Sequence, residues 1–228
     1  MKILNNDSLI LTVDRFNEAV FREDDWRNEA DSIVAWVSGQ LGGGYWGSFA
    51  MTENDWKRPF HLFTGEKITT RAGRSHVIAQ ETNRMLEIIE KELGSSIEAK
   101  EISEERLAKR IFENEQSIAL PTGDYCCGTC SVSLWRCLES GGYPQYAKAL
   151  ENGIHTLARF REEKGGWRRY PFYYTLLSLT GIAKRDAVEE IRVHASTIKK
   201  RTKLLANKTD MFSMRRHEVL IRASAMME

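Results

Sequence analysis

An all-α fold built as a stack of helical hairpins is what this sequence predicts, and three observations carry the prediction. Apolar residues recur at three- and four-residue spacings along most of the chain, the period of a helix that buries one face. The 228 residues include only four prolines, and the apolar set is rich in Leu, Ile and Ala without the two-residue alternation of a half-buried strand. Three Gly-Gly-aromatic stops, Gly43-Gly44-Tyr45, Gly141-Gly142-Tyr143 and Gly165-Gly166-Trp167, fall at related intervals. Gly44 to Gly142 spans 98 residues and Gly142 to Gly166 spans 24. A unit near 49 residues split into halves is what stacked hairpins give.

The elements follow in order. Leu9, Val13, Phe16 and Val20 share one face of a first helix. Asp24 and Asp25 can cap a second that buries Ala30, Ile33, Val34 and Val37 and stops at Gly42-Gly43-Gly44. Residues 51–74 read as irregular, with Pro59 and several Gly and Thr. Ser75 reads as the N-cap of a helix carrying Val77, Ile78, Met85, Leu86, Ile89 and Leu93, and Ser103 as the start of the next, with Leu107, Ile111 and Ile118 on its face. Pro121-Thr122-Gly123-Asp124 breaks the chain before a Cys-rich helix at about 126–140. Helices at about 146–163, 171–180, 184–206 and 211–226 complete the reading. No low-complexity linker divides the chain, so 1–228 reads as a single domain.

Composition excludes several classes. With 42% apolar and 29% charged residues the chain is neither disordered nor membrane-embedded. No apolar run approaches the roughly 20 residues of a spanning helix. The opening stretch, MKILNNDSLILTVDRF, lacks the apolar region and cleavage site of a secretory signal, so the expected location is the cytoplasm. The net charge of +1 argues against a nucleic-acid binder, yet it averages two unlike parts. Residues 155–228 hold 16 Lys/Arg against 8 Asp/Glu, and residues 1–154 hold 17 against 24. The basic C-terminal third can attract phosphate, nucleic acid or an anionic lipid surface, dock a protein partner, or dock on the acidic part of its own chain or of a neighbour.

Certain stretches resemble a known family. Ala35-Trp36-Val37-Ser38-Gly39-Gln40, leading into Gly43-Gly44-Tyr45-Trp46-Gly47, resembles the helix end of the prenyltransferase and squalene-cyclase repeat. Thr122-Gly123-Asp124-Tyr125-Cys126-Cys127-Gly128-Thr129 resembles the start of an inner helix there. Lys164-Gly165-Gly166-Trp167 with Pro171-Phe172-Tyr173-Tyr174-Thr175 is similar to the next repeat. The resemblance implies an α/α toroid around an apolar cavity that holds an isoprenoid-type ligand. Six units of about 49 residues need roughly 290, against 228 here, so the expected ring is incomplete or open.

The resemblance also implies chemistry. Asp124-x-Cys126 resembles the pair that holds catalytic zinc in protein prenyltransferases together with a later histidine, and Tyr174 stands where that histidine is expected. Zinc suits the work because it holds a thiol as thiolate at neutral pH. Asp124, Cys126 and Tyr174 are therefore the catalytic candidates, Asp124 and Cys126 the metal candidates, with His155 and His194 as further histidines. The acid motif of terpene cyclases is absent, and Glu23-Asp24-Asp25 reads as a helix cap.

The residues taken by themselves leave alternatives open. Cys126, Cys127, Cys130 and Cys137 lie within twelve residues, and Cys127-x-x-Cys130 reads as core packing, half a metal site or a redox pair. Lys67, Arg71, Arg74, Ser75 and His76 form a basic run ahead of a helix, where Arg71 and Arg74 can grip a phosphate. Trp135, Trp167 and Tyr173 can line a pocket or fill the core. Two functional readings follow: a prenyltransferase-like protein holding an apolar or isoprenoid ligand, and a non-catalytic helical scaffold for a protein partner.

Overall fold

The computed structural model describes residues 2–182 and 184–228, and among these the all-α reading holds, with twelve α-helices and one two-stranded hairpin. Helix α1 (Leu9–Arg22) begins at Ser8, whose side chain accepts the Leu11 N–H, and buries Leu9, Val13 and Phe16. A short 3₁₀ turn, Arg27–Glu29, precedes α2 (Ala30–Ser38), which buries Ala30, Ile33 and Val37. The stretch expected to be irregular holds α3 (Glu53–Trp56) and the antiparallel strands β1 (Phe60–His61) and β2 (Lys67–Ile68).

Helix α4 (Arg71–Leu93) is capped five residues before Ser75, because Thr70 accepts the Gly73 N–H. Helix α5 (Glu98–Ile111) likewise starts before Ser103, whose hydroxyl instead meets Ser48 at 2.7 Å in the core. Helices α6 (Ala119–Thr122), α7 (Gly128–Ser140), α8 (Lys148–Leu157) and α9 (Phe172–Gly181) follow. The helix expected over 184–206 is two, α10 (Arg185–Val193) and α11 (Ala195–Leu205), broken at His194. His194 is held from outside, since its Nδ1 accepts the Gly166 N–H and its ring packs edge-on against Trp167. Helix α12 (Met211–Ala225) is capped by Asp210.

Packing follows an order. Helix α1 lies on α4, α4 on α7, α7 on α9 and α9 on α12, while α5, α8, α10 and α11 pack behind α4, α7, α9 and α12 respectively. Arg215 on α12 then returns to α1, pairing with Asp14 at 2.8 Å and with Glu18. Arg222 reaches the Phe21 carbonyl, and Arg216 donates to the Thr64 carbonyl at 2.6 Å. Part of the basic C-terminal third thus docks on Asp14 and Glu18 of the first helix of its own chain.

Between the helices sits a buried polar network. Glu81 accepts from Arg136 at 2.7 Å, from Asn17 at 2.9 Å and from the Tyr174 hydroxyl. A full complement of donors is what lets a carboxylate stay ionised away from water. No helix among the described residues is long and apolar enough to cross a membrane.

Candidate functional site

The site is assembled where α6 hands the chain to α7. Gly123 ends α6 with a positive φ of 71°, and a Cβ there would stand 2.2 Å from the Gly153 nitrogen on α8, so only glycine allows the approach. Its carbonyl accepts the Trp135 indole N–H at 2.7 Å, which fixes the turn to α7. Ser131 then holds the Tyr125 N–H at 2.8 Å. Cys126 follows in the left-handed region, at φ 62°, an unusual conformation for a residue with a Cβ. Cys127 is the N-cap residue of α7, and Cys130 lies one turn further in. Opposite them, α4 carries His76 into the α4–α7 contact.

These residues converge. Cys130 Sγ lies 3.5 Å from His76 Nδ1 and 3.5 Å from Cys127 Sγ. The ligand atoms of His76, Cys126 and Cys130 all lie within 4.8 Å of one another. Cys130 and His76 are buried, whereas Cys126 and Cys127 are exposed. Burial, helped by the charge of Arg110, pushes His76 down to about 4, so its imidazole is neutral at pH 7. The Cys127 thiol is lowered to about 6, chiefly by its contact with Cys130, while the same contact and burial push Cys130 far up. Burial raises Cys126 and Cys137 as well.

The donor set suits a soft divalent ion. Bonds of about 2.3 Å to sulfur and about 2.0 Å to nitrogen, at tetrahedral angles, separate ligand atoms by roughly 3.5–3.8 Å. The Cys130–His76 distance already matches, and the other separations, within 4.8 Å, have to close by up to about 1 Å. Two thiols and a neutral imidazole leave one coordination position for something else. Beside them opens a cleft of about 290 Å³ whose walls include Tyr45, His76, Arg110, Asp124, Tyr125 and Cys126. Tyr45 covers His76 with ring centroids 4.0 Å apart.

The other residues singled out in the sequence lie elsewhere or are otherwise engaged. Asp124 borders the cleft, but its carboxylate accepts the Tyr170 hydroxyl and faces Arg169 at 3.5 Å. Tyr174 is buried against Glu81 and Arg136, so it and the Asp124–Cys126 pair do not form one ligand set. The metal grouping retains Cys126 and adds Cys130 and His76 instead. His155 is exposed on Asp186, and His194 is buried against Trp167. Arg71 and Arg74 lie inside the first turn of α4 and not ahead of it. Arg71 stacks over Trp56 at 4.9 Å, and Arg74 donates to the Ile68 and Arg58 carbonyls at 3.2 Å. Trp135 and Trp167 are core residues, their indole N–H groups given to Gly123 and Glu190. Tyr173 takes its cations from within the chain, Arg216 at 5.0 Å and Arg201 at 5.3 Å from its ring.

His76 entered the sequence reading only as part of a basic run. Its partnership with Cys126 and Cys130 spans about fifty residues and depends on how α4 meets α7, which no local spacing encodes. Comparison with family models, curated proteins and solved structures returns no match, so the site is read from its own geometry.

Proposed function

We propose that this protein binds one zinc-class divalent ion through His76, Cys126 and Cys130, and presents the ion's open position to a small polar ligand in the adjoining cleft. The observation that carries the reading is the mutual approach of three ligand atoms within 4.8 Å, from two helices and a left-handed turn. Three protein ligands with an open fourth position is the arrangement of catalytic zinc, where the ion acidifies a bound water or thiol. Arg110 and Asp124 in the cleft wall favour a polar ligand over an isoprenoid chain. The prenyltransferase-like reading keeps two supports, Cys126 in the ligand set and the order in which α4, α7, α9 and α12 pack with outer helices behind them. The toroid is part of this proposal.

The test is elemental analysis of protein dialysed against zinc and then against buffer. The expected result is about one zinc per chain, lost in His76→Ala and in Cys130→Ser but kept in Cys137→Ser, whose thiol lies apart in the core. A parent protein without zinc, or one whose zinc survives His76→Ala, overturns the reading.

A second reading has its own observation. Cys127-Gly128-Thr129-Cys130 spans the first turn of α7 with an exposed thiol 3.5 Å from a buried one, the arrangement of a dithiol that closes to a disulfide. Zinc-free protein that yields a reversible Cys127–Cys130 disulfide in a thiol–disulfide buffer favours this reading.

A further inference from the structure

Helix α11 and the turn after it carry charge that the rest of the molecule leaves unanswered. From Ile191 to Thr209 the chain has six Lys/Arg and no acidic side chain. Two of the six are engaged internally: Arg201 stacks over Phe172 at 4.0 Å, and Arg192 donates to the Met227 carbonyl at 3.4 Å. Lys199, Lys200, Lys203 and Lys208 are exposed, and their ammonium groups have no ion pair or hydrogen bond among the described residues. Exposed lysines on other helices are answered. Lys57, Lys109 and Lys148 meet Glu53, Glu105 and Glu151 at 2.6, 2.7 and 2.7 Å.

Helical spacing gathers the unanswered charge on one side. Ile198 is buried against the protein, while Lys199, Lys200 and Lys203 are exposed on the outer side of α11, Lys199 and Lys203 one turn apart. Like charges at that spacing weaken a helix, whereas the opposite pair at Glu105 and Lys109 supports one. The dipole at the end of α11 favours Lys203 in the last turn, but not the lysines a turn earlier. An anionic surface outside the chain relieves the repulsion.

Apolar side chains stand beside these cations. Leu204, one turn beyond Lys200, is 63% exposed, and Met211 and Met214 at the start of α12 are 50% and 45% exposed. Only five residues join α11 to α12, and the two helices pack on each other, so these side chains and Lys208 gather about the connecting turn. Asp210, the acid of that turn, is directed back to the Ser213 N–H. Single exposed apolar residues are ordinary, but three within eleven residues beside unpaired lysines have the composition of a surface that lies in a lipid interface. A nucleic acid would answer the lysines and leave Leu204 and the methionines in water. It would also want exposed rings for its bases, and Phe212, the ring at this turn, packs on His61 instead.

We propose that the α11–α12 hairpin docks this protein on an anionic lipid bilayer, with Lys199, Lys200, Lys203 and Lys208 at the headgroups and Leu204 and Met211 entering the acyl boundary. The contact is peripheral, since α11 has 11 residues and a spanning helix needs about 20. None of these residues belongs to the thiol cluster or its cleft, so the docking is independent of the metal reading and should survive removal of zinc.

Co-sedimentation of the full chain with vesicles of phosphatidylcholine and phosphatidylserine, against vesicles of phosphatidylcholine alone, tests it. Binding is expected to the anionic vesicles alone, and it should weaken as added salt screens the lysines. Each lysine near such a surface contributes about fivefold, so Lys199→Gln/Lys200→Gln/Lys203→Gln should lose roughly a hundredfold. Lys57→Gln/Lys109→Gln/Lys148→Gln removes the same charge from other helices and should lose less than about fivefold. Leu204→Ser/Met211→Ser keeps every charge and should still lose about tenfold. Circular dichroism checks that the variants fold, and Leu204→Ser alone replaces the double variant should that one fail. The proposal is overturned if the parent does not bind anionic vesicles, or if the two lysine triples lose binding equally. A folded serine variant that binds like the parent also overturns it, and leaves the lysines as a surface for a dissolved polyanion.

Discussion

Arg136→Met tests how the centre of the molecule is held together. Arg136 and Glu81 are each 5% exposed and meet at 2.7 Å, with the Tyr174 hydroxyl and the Asn17 amide completing the carboxylate's partners. Methionine keeps much of the stem's packing and removes the charge. A buried carboxylate then faces the core with only neutral donors in direct contact, a change that costs about 3–5 kcal/mol. At roughly 2–4 °C per kcal/mol for a chain of this length, the melting midpoint should fall by about 6–20 °C.

The acid dependence gives a second handle on the same pair. Burial alone would raise Glu81, but the charges of Arg136 and Arg84 and the bonds from Arg136 and Tyr174 outweigh it and hold the carboxyl at about 2 instead of 4.5. A depressed carboxyl stabilises the fold above its unfolded value, and that stability drains away as pH falls toward 2. The depression corresponds to about 3 kcal/mol, of the same order as the pair's loss. Without Arg136, burial weighs more heavily and Glu81 takes up a proton more readily. The variant's deficit should therefore be greatest near pH 7–8 and shrink toward pH 4. Urea denaturation followed by circular dichroism at both ends of that range measures it, and Glu81→Gln in the same background should recover part of the loss. A cost below about 1 kcal/mol, or a deficit equal at pH 4 and pH 8, refutes the reasoning.

Two further outcomes follow from other buried groups. Glu104 is pushed up to about 7, first by burial, and its Oε1 has no partner. A raised acid stabilises fully below 4.5 and loses that contribution as pH rises through 7, so Glu104→Gln should match the parent near pH 4 and exceed it at pH 8 by up to about 3 kcal/mol. Thermal melts across that range check it, and a difference independent of pH counts against it. Gly123→Ala should cost at least about 2 kcal/mol, because its Cβ meets the Gly153 nitrogen at 2.2 Å and the Ala149 carbonyl oxygen at 2.4 Å. A urea midpoint equal to the parent's would mean that α6 and α8 can separate freely.

What the sequence made legible was what local chemistry decides. The starts of α1 and α12 are fixed by Ser8 and Asp210 beside strong apolar stripes, and both lie close to where periodicity alone puts them. Starts decided by distant partners were missed. Thr70 and Ser75 are both able to cap α4, and the hairpin leading into the helix favours Thr70. Ser103 has the chemistry of a cap and spends it on Ser48, 55 residues away. The break at His194 exists because Gly166 and Trp167 hold that ring, which no reading of residues 184–206 reveals. The candidate site divides in the same way. The cysteines announce themselves by density, whereas His76 becomes their neighbour only through the packing of α4 on α7. Trp135 and Trp167 read equally as pocket wall or core from their positions alone, and their hydrogen bonds to Gly123 and Glu190 decide for the core.

The clasp between α12 and α1 has a consequence for how the protein is made. Arg215 and Asp14 are separated by 201 residues, so the cation that satisfies the first helix leaves the ribosome long after it. At about 5–20 residues per second, synthesis keeps α1 waiting roughly 10–40 seconds. Throughout that interval the growing chain is acidic, since residues 1–154 carry seven more acidic than basic side chains. Like charge keeps such a chain soluble and slow to collapse on itself or on its neighbours on the same polysome. Asp14 and Glu18 of the first helix are therefore without their cation until the long stretch between them and Arg215 has been made.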